Sequence, residues 1–161
     1  MSTMPAGIIT QPQRLHNGMI YAFSHRTLGK LGRLILTDVP GRGMQISAEA
    51  EQGNFSDPQY LKRLETLSQV IQTLLDALPG ENPPMPDLVA LKQRASLYQR
   101  FINVQDAGEM EQFARGLNSQ EQTLLFEVIA DNVSTTMQTQ DFGSTYGIVQ
   151  RENDLRRLLA R

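Results

Sequence analysis

The sequence predicts an α+β protein: a small antiparallel β-meander of three or four strands, covered by a long helix and followed by a helical C-terminal half. Three observations carry that prediction. Apolar and polar residues alternate strictly over residues 44–49. Leucines recur at spacings of three and four over residues 61–78. Beyond a proline-rich stretch at residues 80–87, the apolar residues keep the helical period.

The strands come first. Residues 19–26 alternate, with Met19, Tyr21 and Phe23 on one face and Ile20, Ala22 and Ser24 on the other. Residues 33–39 are rich in β-branched and apolar types, and Pro40-Gly41 supplies turn chemistry. Met44, Ile46 and Ala48 then alternate with Gln45, Ser47 and Glu49, so residues 33–49 read as a hairpin. Residues 6–10 add a short edge strand.

A helix over residues 57–78 follows. Asp57 suits its N-cap, because a carboxylate there accepts from the free amides of the first turn, and Pro58 suits the first helical position. Its stripe is Leu61, Leu64, Leu67, Ile71, Leu74 and Leu78, widened by Val70 and Leu75. Pro79-Gly80 ends it.

The domain reading is residues 1–79 as sheet plus helix, 80–87 as a stiff connection, and 88–161 as a helical region. In that last region Asp87 caps a helix with Leu88, Leu91, Ala95, Tyr98 and Ile102 on one face. Asp106 and Glu109 have capping-box spacing before Met110, Phe113, Ala114 and Leu117. Ser119 and Gln122 repeat it before Leu124, Leu125, Val128, Ile129, Val133 and Met137. Residues 141–147 read as a polar, glycine-containing break. A last helix is expected over residues 148–160, on Ile148, Leu155, Leu158 and Leu159.

Composition narrows the function classes. The 161 residues contain no cysteine, which excludes disulfides, thiolate metal sites and cysteine nucleophiles. That suits a reducing cytoplasm. No apolar run reaches the ~20 residues of a membrane span, and the N-terminus lacks the form of a signal peptide, so a cytoplasmic chain with no membrane partner is expected. The net charge of -2 hides a pattern: residues 1–44 carry +4, residues 45–149 carry −8 and residues 150–161 carry +2.

The basic first segment is the most suggestive feature. Arg26, Lys30, Arg33 and Arg42 flank the expected turns, and Tyr21 and Phe23 offer stacking faces, the parts a polyanion site uses. Basic residues in such places also keep sheet edges unpaired. Gly29-Lys30-Leu31-Gly32 has the form of the loop that clamps nucleic-acid backbone in KH domains, but that loop joins two helices, and here strands flank it.

Catalytic patterns fare worse. His16 and His25 lack metal-ligand spacing. Ser24, His25 and Asp38 have triad residue types without a nucleophile elbow, and neighbouring strand residues diverge. Glu49, Glu51 and Asp57 form a loose acidic cluster without a calcium-loop pattern. No cofactor or metal is expected. In the acidic middle, Glu109, Glu111, Glu121, Glu127 and Asp131 sit mostly off the apolar stripes, as a solvated face or a dock for a basic surface.

Leu124, Leu125, Phe126, Val128 and Ile129 are apolar on more than one helical face, so they are either central to a bundle or a candidate interface. The leading expectation is therefore a non-enzymatic protein–protein interaction module that self-associates. A nucleic-acid-binding accessory protein using the basic sheet is the alternative. A small enzyme built on Glu49, Asp57 and His25 is the third.

Overall fold

A computed structural model describes residues 4–78 and 86–161. The order is β1 (Ile8–Leu15), β2 (Gly18–His25), β3 (Gly29–Val39), β4 (Gly43–Ala50), then α1 (Pro58–Asp76), α2 (Pro86–Ile102), α3 (Ala107–Arg115), α4 (Ser119–Gln138) and α5 (Phe142–Leu159). The chain forms two compact units, Met1–Lys92 and Gln93–Arg161, with the division inside α2. Only the last two residues of the expected connection, Pro86 and Asp87, are described; they open α2, so Asp87 lies in a first turn and is not its cap.

In the first unit the four strands form an antiparallel meander in the order β1-β2-β3-β4. The hairpin read over residues 33–49 is present, and Arg33 pairs with Glu49 in its register. β1 is longer than the expected edge strand over 6–10. It carries Pro12, which a strand tolerates only at a sheet edge or a bulge.

β3 starts at Gly29, earlier than expected, and the reason is a bulge. Phe23 pairs with Gly32 but Ser24 pairs with Lys30, leaving Leu31 as an extra residue. A regular strand would send Leu31 and Leu34 to opposite faces, three residues apart. The bulge lets both be buried, each 1% exposed, beside Phe23. Gly32 sits at φ +149, and a Cβ there would lie 2.3 Å from the Glu49 carbonyl and 2.8 Å from Leu67 of α1. The Gly29-to-Gly32 pattern thus belongs to a bulge, where strand and helix approach too closely for a side chain.

α1 covers this face of the sheet. Asp57 caps it by accepting from the Gln59 amide at 2.9 Å, and Pro58 opens it. Its buried stripe is Tyr60, Leu64, Leu67, Val70, Ile71 and Leu75. The stripe is turned slightly from the leucine count: Val70 and Leu75 are central, Leu61 and Leu74 are half-buried, and Leu78 is exposed. Each fully buried aliphatic side chain contributes roughly 1.5–3 kcal/mol over an exposed one.

In the second unit the helix ends are written in side chains. Asp106 caps α3 by accepting from the Glu109 amide, while Glu109 reaches back to the Gln105 amide. Asn118, one residue before the expected Ser119, caps α4 in a full capping box with Glu121. α4 stops in a Schellman turn: Gln140 N–H donates to the Met137 carbonyl and Asp141 N–H to that of Thr136. Gln140, not a glycine, holds φ 59 there. Asp141 then caps α5 at once through Ser144, so residues 142–147, expected as a break, are helical. Among the described residues no helix is long and apolar enough to cross a membrane.

Candidate interaction site

The anticipated basic site does not assemble as one surface. Arg26 lies in the β2–β3 turn, near Lys30 and Arg33, but Arg42 lies in the β3–β4 turn. The Arg33 and Val39 rows are six residue steps apart along β3, a distance of about 20 Å at the usual rise. Arg33 is bound at 2.7 Å to Glu49 across the hairpin. Lys30 and Arg33 line a shallow depression of about 300 Å³ that also contains Glu49 and Glu51. Two cations therefore face two carboxylates, which cancels the local field a polyanion needs. Phe23 is buried and Tyr21 is half-buried, so Phe23 offers no stacking face.

The enzyme candidates each have a structural task. His25 accepts at Nδ1 from the amides of Thr27 and Leu28, shaping the β2–β3 turn. Glu49 binds Arg33. Asp57 caps α1 and binds Arg63 at 3.1 Å; the Gln59 amide first, and then the Arg63 guanidinium, hold its carboxyl below the ordinary value of 3.8. Among the described residues no group of three or more histidines and carboxylates is placed to hold a metal.

The broad apolar stretch of α4 divides. Leu125, Val128 and Ile129 are fully buried, which makes them core side chains and removes them as a contact surface in this fold. Leu124 and Phe126 are half-buried, and the Arg156 guanidinium covers the Phe126 ring at 4.2 Å.

A different surface emerges on α5. Its core stripe runs through Ile148 and Leu155. Tyr146 precedes Ile148 by two residues, about 200° around the helix, and so points away from the core. Phe142, one turn earlier, joins it at i, i+4 spacing. Phe142 is 60% exposed and Tyr146 is 68% exposed, and Met137 at the end of α4 is exposed too. The Schellman turn and the Asp141 cap place them there by starting α5 immediately after α4.

Tyr146 is also the lip of a groove of about 810 Å³ between α3 and α5. Val104 and Met110, both buried, form its apolar base, and Leu158 flanks them. Gln150 donates to the Tyr146 hydroxyl at 2.8 Å and so orients it. Arg151 is tied down by donating to the Val104 carbonyl, which joins α5 to the segment before α3. The carboxylates along the groove are engaged: Asp106 caps α3, Glu111 binds Arg115 at 2.6 Å, and Asp154 binds Arg157 at 2.9 Å. Each carboxylate that lines the groove therefore has a partner within its own unit. The groove has the makeup of a recognition surface, in which aromatics, methionine and arginine are enriched.

The sequence carried a signal for this site, the Phe142/Tyr146 spacing opposite Ile148. Reading residues 141–147 as a break hid it. No protein-family model matches the chain, and no curated protein or solved structure matches it either.

Proposed function

We propose that this chain is a non-enzymatic protein–protein interaction module that self-associates, with the α3–α5 groove as the surface that takes a segment of a partner protein. The exposed aromatic pair Phe142 and Tyr146 beside that groove is the observation that carries the reading. Two solvated aromatic rings at one corner cost free energy in the isolated protein, roughly 25 cal/mol for each Å² of apolar surface left in water. A partner that buries them recovers it, and Tyr and Arg are the residue types that dominate such contacts. A cytoplasmic setting belongs to the proposal and rests on the cysteine-free composition.

The nucleic-acid alternative draws less support, because Arg33 is already paired and Arg42 stands apart from the other cations. The experiment is site-specific photo-crosslinking in the expressing cell, with a benzophenone amino acid at Tyr146. The expected result is a discrete protein adduct that Phe142→Ser diminishes. No adduct from Tyr146, together with a strict monomer in sedimentation, overturns the reading. Gel shifts that weaken steeply with salt and vanish in Lys30→Glu and Arg33→Glu would establish the alternative in its place.

A further inference from the structure

α5 carries a stripe that its own unit leaves uncovered. Phe142, Tyr146, Gln150, Asn153, Arg157 and Arg161 are all exposed. At the helical pitch they fall within about 100° of arc, on the side opposite the buried Ile148 and Leu155. Ala160 keeps the αR conformation, so Arg161, just past the helix, continues the same row.

The stripe is complementary to itself. Its spacings of four, four, three, four and four residues read the same in both directions. Its chemistry does not: the first two members are aromatic, the middle two are amides and the last two are arginines. A second copy laid antiparallel therefore meets it position for position, about a two-fold axis level with the peptide between residues 151 and 152. Tyr146 lies opposite Arg157 of the second copy, Phe142 opposite its Arg161, and Gln150 opposite its Asn153. Parallel pairing would set arginine on arginine.

Guanidinium groups stack on aromatic faces, and this chain already uses that contact in Arg63 over Tyr60, Arg100 over Phe113 and Arg156 over Phe126. Among the described residues no cation of the same chain covers Phe142 or Tyr146. Arg157 binds Asp154 through one nitrogen at the edge of its guanidinium, which leaves the flat face for a ring. Gln150 holds the Tyr146 hydroxyl and so fixes the ring that receives it. Gly143 and Gly147 keep the flank of the stripe low. A Cβ at either would meet nothing within 4 Å, so the fold of the single chain does not call for glycine there.

We propose that two copies of this chain associate through α5, antiparallel, with the aromatic half of each stripe against the arginine half of the other. The proposal rests on the self-association in the reading above and names the partner: the α5 of a second copy, laid along the lip of the groove. Such an isologous contact closes on itself, so the assembly stops at two.

The test is sedimentation equilibrium and disulfide trapping on the full chain, which has no cysteine of its own. The expected species is twice 18.1 kDa. Tyr146→Arg should weaken the dimer at least about tenfold, because arginine then faces arginine twice. Adding Arg157→Tyr to that variant restores the opposed pair and the dimer. All these positions are exposed, so circular dichroism should match the wild type. Asn153 lies about 5 Å along the axis from its counterpart, so Asn153→Cys links the two copies on mild oxidation. Gly143 lies about 25 Å from its counterpart, so Gly143→Cys does not. A wild-type monomer whose Tyr146 photo-adducts contain another protein overturns the dimer and spares the groove, whereas a monomer with no adduct overturns both. A dimer indifferent to Tyr146→Arg overturns the α5 contact. Loss in Tyr146→Arg without restoration in the double variant, or linkage of Gly143→Cys in place of Asn153→Cys, overturns the antiparallel pairing.

Discussion

The sheet unit and the helical unit are specified in different ways. In the helical unit, starts and stops depend on neighbours in sequence: Asp106, Asn118 and Asp141 each accept from the amide three residues ahead. In the sheet unit, the decisive feature is a crowded point made by residues far apart in sequence, where Gly32 meets the Glu49 carbonyl and Leu67. Locally encoded ends fail one at a time and gently. A point where three elements converge fails all at once.

Substitutions can break or sharpen this contrast. Gly32→Val is the harshest: its side chain meets backbone that cannot move aside and takes a φ unsuited to a branched residue, so a loss above about 4 kcal/mol is expected. Hydrogen exchange should show β3 and β4 unprotected. Leu125→Ala should cost about 3 kcal/mol in urea denaturation, since it empties a fully buried site in the helical unit. If the two substitutions cost the same, the contrast is weaker than drawn.

Caps are next in size. Asn118→Ala removes a full capping box and should cost about 1 kcal/mol. Asp57→Ala should cost about as much at neutral pH, with a pH signature. The folded carboxyl lies below its ordinary value of 3.8, so its contribution is complete above that value and is lost as pH falls through the folded pKa. The gap between wild type and Asp57→Ala should therefore close in acid below about pH 4 in thermal melts. A gap independent of pH would mean that the cap acts through shape alone.

Gln140→Gly runs in the opposite direction. It relieves a left-handed residue at the Schellman position and should raise stability by about 0.5–1 kcal/mol. Smallest of all, Phe142→Ser should move stability by less than about 0.5 kcal/mol, because that ring is mostly in water, while Tyr146 adducts fall. A large destabilisation would recast Phe142 as a structural residue.

Much of the fold was legible because its signals are short-range. Asp57-Pro58 marks the start of α1, and the alternation around Ile46 marks β4, each within a few residues. The start of α5 was misplaced because Gly143 and Gly147 look like a break, whereas the Asp141 carboxylate and the core contacts of Ile148 keep the helix going. β1 looked shorter than it is because Pro12 reads as a stop until its edge position is known. The candidate interaction surface was the least legible part. Leu125, Val128 and Ile129 are apolar enough for either core or interface, and only neighbours brought in from distant sequence separate the two.

By itself the sequence determined the class of the fold, the meander with its covering helix, and most helix ends, since periodicity and capping act over one or two turns. Tertiary structure alone decided which apolar residues were buried, which stayed in water and which charges were brought together. Those are properties of what lies across a gap, and a gap between distant segments exists only once the chain has folded.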